Sequence, residues 1–389
     1  MNLRQKRQSL CFTIEGLNSF GTVLYFTYLY FLLHDKFGFT DKARLAVAAL
    51  LGLCYAVSSW QAGRLAQRWG YFTALKLGFG IMAGALLVGA QLGSAAGEIL
   101  SAVVVTFGMC FTWPVLEALI SENETPDRVP HAIGIYNITW AATNASALFI
   151  GGAIIEKLGY PSIFYIPAGI IAGQIALTLW LEKLPLPAAV EKPSALPHDQ
   201  NRPSPARAKN FQQLAWLANP FAYIAINTLI AVLPGVAAKF HLTPMFAGFA
   251  CSLWGFVRLG AFVVLWRWPG WHYRFRWLVT AFALLIVSFA MILIVPNLAV
   301  LLVAQLFFGV AIGLIYYSSL FYSMDASDTK SEHGGIHEAA IGAGNCLGPA
   351  VGALSLQFAA QSANAGAWAV TGLLLLGFGG LLWLRKAAD

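Results

Sequence analysis

Residues 134–152 read GIYNITWAATNASALFIGG, and residues 335–353 read GIHEAAIGAGNCLGPAVGA. Set 201 positions apart (335 − 134), they align Gly134 with Gly335, Ile135 with Ile336, Asn144 with Asn345 and Gly151 with Gly352. Both stretches are apolar and rich in small residues, a composition that lets one membrane helix approach another closely. The second copy places His337 and Glu338 at its mouth, followed by fifteen residues without a charge, four of them Gly and five Ala. Seven residues separate Glu338 from Asn345, and Asn137 from Asn144, so each pair shares one helix face two turns apart.

The same offset holds elsewhere in the chain. Asn18 meets Asn219, and Phe107-Gly108 meets Phe308-Gly309. Leu and Ala match by chance in apolar helices, so the shared Asn and Gly carry the argument. Between them, RWG at 68–70 only loosely echoes RWPG at 267–270.

The chain is 58% hydrophobic and 11% charged, against roughly 25% charged in soluble domains. Its apolar residues come in blocks of about 20, the length that spans a hydrocarbon core as a helix. Twelve spans are expected, near 9–33, 43–66, 72–93, 97–120, 131–155, 161–183, 212–236, 244–268, 276–295, 298–324, 334–358 and 363–384. A membrane barrel would instead show shorter alternating strands. The first block follows RQKR but is long and lacks a small-residue cleavage pattern, so it reads as a retained helix rather than a signal peptide.

A stretch rich in Pro and polar residues after Leu184 breaks the series and reads as a flexible linker. The expected organisation is an N-terminal six-helix bundle over 1–184, a linker over 185–211 and a C-terminal six-helix bundle over 212–389. The offset matches pair span 1 with 7, span 4 with 10 and span 5 with 11. The fold class is therefore all-α, with twelve transmembrane helices in two pseudo-symmetric bundles.

With the N-terminus inside, 18 Lys and Arg fall on inside segments and 5 on outside ones (Lys36, Lys42, Arg44, Lys157, Lys239). That bias places both termini and the linker in the cytoplasm, in a plasma or inner membrane. The net charge of +7 is then a topology signal and does not point to nucleic acid. The five cysteines (Cys11, Cys54, Cys110, Cys251, Cys346) all lie in spans and show neither metal-ligand spacing nor a disulfide pattern. No cofactor is called for.

Twelve helices in two related halves with a long inside linker resemble the major facilitator superfamily of secondary transporters. That family carries Gly-x-x-x-Asp-Arg-x-Gly between spans 2 and 3. Here the loop reads GRLAQRWG, keeping Gly63, Arg68 and Gly70 with Gln67 in the Asp position. The G-x-x-x-G-P-x-x-G spacing of family exporters occurs on span 11 rather than span 5, as Gly344, Gly348, Pro349 and Gly352, and reads as a packing and hinge element. The resemblance implies alternating access, two halves rocking about a central site.

Charges inside the bilayer cost several kcal/mol and mark functional candidates. Those here are Glu15, Glu117, Arg258 and Glu338, with His337 assigned to the interface; Glu98, Glu156 and Asp325 sit at span ends. Glu15 shares a face with Asn18, Thr22 and Tyr25. Arg258 lies nine residues from Arg267, roughly 13 Å along a helix, so it cannot easily snorkel and should pair with one of the three carboxylates. Tyr25, Trp113, Tyr136, Trp140 and Tyr317 supply rings, alongside Phe26, Tyr223, Trp254, Tyr316 and Tyr322, many of which would equally serve packing or interface belts.

The candidate substrate residues are therefore Asn18, Tyr25, Trp113, Tyr136, Asn137, Trp140, Asn219, Arg258, Tyr317 and Asn345. The candidate proton-coupling residues are Glu15, Glu117 and Glu338. The expectation is a monomeric secondary transporter for a small organic solute, an organic anion first, coupled to protons because carboxylates face the presumed cavity and no G-x-x-x-x-G-K-[ST] loop for ATP occurs. The rivals are an exporter of neutral or amphipathic compounds, a non-transporting sensor, and a lipid-modifying membrane enzyme. The last lacks any H-E-x-x-H, paired-Asp or Cys–His arrangement within the spans.

Overall fold

The computed structural model describes residues 3–121, 128–185, 204–325, 330–359 and 361–386, with all side chains there except those of residues 60, 121, 129–130, 324–325, 330–337 and 386. The His337 side chain and linker residues 186–203 thus lie outside the described residues. The described chain is helical throughout and holds no strand.

Ten spans are single helices: α1 (Leu3–Phe37), α2 (Asp41–Trp69), α3 (Tyr71–Gly89), α6 (Val129–Leu158), α7 (Ser162–Lys183), α8 (Pro205–Lys239), α11 (Phe275–Ile294), α12 (Leu298–Asp325), α13 (Lys330–Phe358) and α14 (Ala365–Lys386). Two are broken. Span 4 is α4 (Ala95–Met109) and α5 (Trp113–Ser121), and span 8 is α9 (Pro244–Cys251) and α10 (Leu253–Arg267). Among the described residues eleven spans are long and apolar enough to cross a membrane by themselves. The twelfth is α1, whose buried Glu15, Asn18, Ser19, Thr22 and Thr27 dilute its hydropathy.

Local chemistry sets the ends. Thr40, Ser94, Ser204 and Thr243 accept backbone N–H bonds at the starts of α2, α4, α8 and α9, satisfying donors a helix start leaves open. Gly70 turns α2 into α3 at φ 88°, a conformation open to glycine. Pro114 supplies no N–H for the Cys110 carbonyl and disfavours helical geometry at Trp113; span 4 breaks just there.

The two bundles meet along two antiparallel contacts, α2 with α13 and α6 with α9 and α10. A twofold that exchanges span 2 with 8 and span 5 with 11 turns one contact into the other. The repeat read from Gly134/Gly335 and Asn144/Asn345 therefore generates both sides of the seam. Both depend on glycine. A methyl carbon on Gly52 would lie 2.4 Å from the Asn345 carbonyl carbon, and one on Gly342 would lie 2.5 Å from Ala56 Cα. At the other contact, one on Gly152 would lie 1.9 Å from the Pro244 oxygen. Gly344 and Gly348 of the G-x-x-x-G-P-x-x-G run set α13 against Pro220 and Ile224 of α8, so the run packs helices within the second half.

At the end of the molecule away from the termini, polar ties cross the seam. Lys42 Nζ donates to Gln357 Oε1 at 2.9 Å, Arg44 Nε to the Ala231 oxygen at 3.1 Å, and the Met245 N–H to Glu156 Oε2 at 3.1 Å. Arg44 also bonds the Phe39 carbonyl and pairs with Asp41. Arg44 and Glu98, expected at the interface with water, are instead buried.

The glycine seam yields a stability prediction. Gly52→Val and Gly342→Val should each destabilise the purified protein by about 1–3 kcal/mol through overpacking. Gly80→Ala, where nothing lies within 4 Å of the added carbon, should be neutral or slightly stabilising through helix propensity. Thermal unfolding in detergent ranks the three; equal melting temperatures for Gly52→Val and Gly80→Ala would remove the seam argument.

Candidate functional site

A cavity of roughly 200 Å³ lies where the bundles meet, lined from spans 1, 2, 4, 5, 7, 8, 10 and 11. Eight of the thirteen candidate residues line it: Glu15, Trp113, Glu117, Tyr136, Trp140, Arg258, Glu338 and Asn345. Spans 2 and 8 take part because the seam helices close its sides.

One wall is acidic. Glu15 is 0% exposed. Its Oε1 accepts from Ser19 Oγ at 2.8 Å and from Trp113 Nε1 at 3.2 Å, while Oε2 has no hydrogen-bond partner among the described residues. The break before Pro114 is what delivers Trp113 to this position. Glu117 lines the same wall from α5, one turn on. Glu338 enters from α13 and accepts a hydrogen bond from the Tyr55 hydroxyl of α2, a bond between the two halves. Asn345, two turns along the same face, accepts from Asn227 Nδ2 of α8.

Arg258, 4% exposed, lines the cavity from span 8. The expected ion pair is not how it is held: among the described residues Arg258 takes part in no salt bridge. Its Cζ rests over the Trp140 ring at 4.5 Å and the Trp254 ring at 5.0 Å. Desolvated cation–π contacts are worth up to about 2 kcal/mol each. Insertion scales put Arg at a helix centre at about 2.5–3.5 kcal/mol. Two indoles therefore offset the burial without a carboxylate, although Nε and Nη2 keep no hydrogen-bond partner.

Each indole is itself positioned. Asn137 accepts the Trp140 Nε1–H at 2.9 Å, and Tyr316 meets the Trp140 ring edge-on at 5.1 Å. Trp254 follows the break in span 8. There Gln305 donates to the Ala250 carbonyl at 2.7 Å and accepts from the Trp254 N–H at 3.4 Å. One glutamine thus satisfies backbone groups that the break exposes.

Five candidates sit outside the lining. Asn18 donates to Thr112 Oγ1 at 3.2 Å, at the break in span 4. Tyr25 packs edge-on against Phe164 at 5.6 Å. Asn137 acts through Trp140. Asn219 is buried with Nδ2 and Oδ1 unpartnered. Tyr317 packs against Phe262 at 5.7 Å and Trp271 at 5.9 Å. Sequence reasoning missed Tyr55 and Asn227. Their only signal was a polar group in an apolar helix, and neither has a repeat mate of its own kind at the offset.

Two pseudo-symmetric membrane bundles closed around a charged, aromatic cavity define a secondary-transporter fold. The sequence description of the Major Facilitator Superfamily matches residues 9–353, and the chain belongs to that family. No curated protein matches it. Similar solved structures include the human organic anion transporter MFSD10 (TETRAN), with TM-score 0.71 and 15% identity over 98% of this chain and 100% of that one. The nucleoside transporter NupG superposes with TM-score 0.68 and 16% identity over 99% and 100%. A bacterial homolog of the human lysosomal transporter Spinster, inward-facing and unoccupied, gives 0.66 and 14% over 100% and 96%. At these identities the likeness is one of fold. The family and these neighbours are transporters rather than enzymes.

The Tyr55–Glu338 bond is testable by a double-mutant cycle. Tyr55→Phe, Glu338→Gln and the double variant should show a coupling of about 1 kcal/mol or more in unfolding free energy, the range for a hydrogen bond to an acidic group. Additive losses would mean that the two side chains do not interact.

Proposed function

We propose that the protein is a secondary active transporter that moves a small organic anion by alternating access and couples that movement to protons. The observation that carries this reading is the buried Arg258 lining a cavity at the seam, without an ion pair among the described residues, together with Glu15, Glu117 and Glu338. An unpaired cation at this depth suits an anionic solute. Carboxylates contributed by both halves suit a proton, because a group charged in one conformation and neutral in another links proton traffic to movement. The bundles enclose the solute, and the seam helices α2, α13, α6 and α10 open one end at a time.

In this reading the molecule works as a monomer in the plasma or inner membrane. The 18-to-5 bias of Lys and Arg puts both termini and the linker, residues 185–211, in the cytoplasm. The bundles are then residues 1–184 and 212–389. The ties Lys42–Gln357, Arg44–Ala231 and Glu156–Met245 lie on the outer side, which favours a state closed to the exterior.

Glu338 is the proton-responsive switch. It sits on the helix with the small-residue run, and its partner Tyr55 belongs to the other half. Glu338→Gln mimics the protonated acid. In proteoliposomes it should keep solute exchange yet lose pH-driven net accumulation, by about tenfold or more. His337→Asn should change much less. Net transport by Glu338→Gln with an unchanged pH profile would dismiss Glu338 as the coupling group.

A further inference from the structure

The manner in which Arg258 is held narrows the solute. Its guanidinium rests over two indoles, and the two atoms left unpartnered are Nε and Nη2. These nitrogens lie on the same edge of the planar group. Their N–H bonds run side by side at the spacing of the two oxygens of a carboxylate, the geometry of a bidentate pair. A buried fork of this kind is satisfied by a planar two-oxygen acceptor far better than by a single one.

Charge and shape narrow it again. Arg258 is the single cationic side chain among the lining residues, whereas three carboxylates line the same cavity. A second negative charge on the solute would meet Glu15, Glu117 or Glu338 with no cation to answer it. Nine aromatic side chains also line it, Trp113, Tyr136, Tyr223 and Tyr316 among them, and such faces pack against flat apolar bodies. The volume of roughly 200 Å³ falls below the 300–1,000 Å³ or so of drug-sized pockets.

Resting on the transport reading above, we infer that the cavity recognises a small aromatic monocarboxylate, its ring among the aromatic walls and its two oxygens on the Nε–Nη2 edge of Arg258, an edge that is closed to the cavity in this structure and turns toward it as the solute enters. Trp140 comes from the first half and Arg258 from the second. A carboxylate on the fork is therefore held by a group that both halves grip. Asn137 and Trp140 are positioning residues for it.

Calorimetric titration of the purified full chain in detergent tests the inference with benzoate and naphthoate, benzamide as the uncharged isostere, phthalate as the dianion and acetate as the headgroup without a ring. Benzoate or naphthoate should bind, with the other three weaker by about tenfold or more. Arg258→Lys, which keeps the charge but loses the fork, should weaken the best ligand by about tenfold or more. The ligand comparison needs no variant, so it stands even if Arg258→Lys folds poorly. Benzamide binding as tightly as benzoate, phthalate or acetate binding as tightly as the aromatic monocarboxylates, an unchanged affinity in folded Arg258→Lys, or no binding of either aromatic acid would overturn it. Proteoliposomes separate the two readings. Uptake of another solute that Arg258→Lys leaves intact sinks the carboxylate site and leaves transport standing. Benzoate binding without passage supports the site and sinks transport.

Discussion

The close approach of helix backbones along the seam is the constraint on which the rest of the structure depends. Lipid offers no hydrophobic drive to join two bundles, so association must come from van der Waals contact and the few available hydrogen bonds. Contact is dense only where side chains are missing. Gly52 against Asn345, Gly342 against Ala56 and Gly152 against Pro244 bring α2 to α13 and α6 to α9 at distances a single methyl group would violate. The cavity follows as the space that these two contacts and the inward faces of spans 1, 4, 7 and 10 leave between them.

Within that space the two halves contribute unequal chemistry. The repeat gives both a common helical plan, but Glu117 faces Ser318 at the offset and Arg258 has no charged counterpart. The acidic groups come from spans 1, 4 and 11 and the cation from span 8. Symmetry therefore builds the container, and departures from symmetry polarise it. Arg258 is held over indoles rather than in a salt bridge with a carboxylate among the described residues, which leaves both signs of charge in the cavity. A permanent ion pair would have neutralised one against the other.

The fold was legible because it is written in quantities a sequence displays directly: apolar block length, and Asn and Gly recurring at one offset. The cavity was legible only in part. Glu15, Glu117, Arg258 and Glu338 stood out as charges in lipid-length helices, and all four line it. Asn18 and Asn219 stood out as repeat mates, yet neither lines it: Asn18 bonds Thr112 and Asn219 is buried. A shared polar residue reports a shared helix environment and does not distinguish a buried interface from a cavity wall. Tyr55 and Asn227 escaped because their roles are set by partners on other helices, Glu338 and Asn345. The ion pair expected for Arg258 failed for a related reason. Charge was weighed against charge, while the two indoles that hold it come from different halves and converge only in three dimensions.

The break in span 8 bears on how such a molecule deforms. An interrupted helix in lipid ordinarily exposes bare carbonyl and amide groups, and bending it further exposes more. Here the Gln305 side chain lies across the interruption, bonded to Ala250 on one side and Trp254 on the other. It is anchored on α12 rather than on either piece. The joint has the geometry of a pinned hinge: were α10 to swing about Ser252, the backbone groups on either side would stay bonded to a post on a third helix. Trp254 and Arg258 sit on α10, so a small rotation at that pin would reach the cavity as a displacement of its charge.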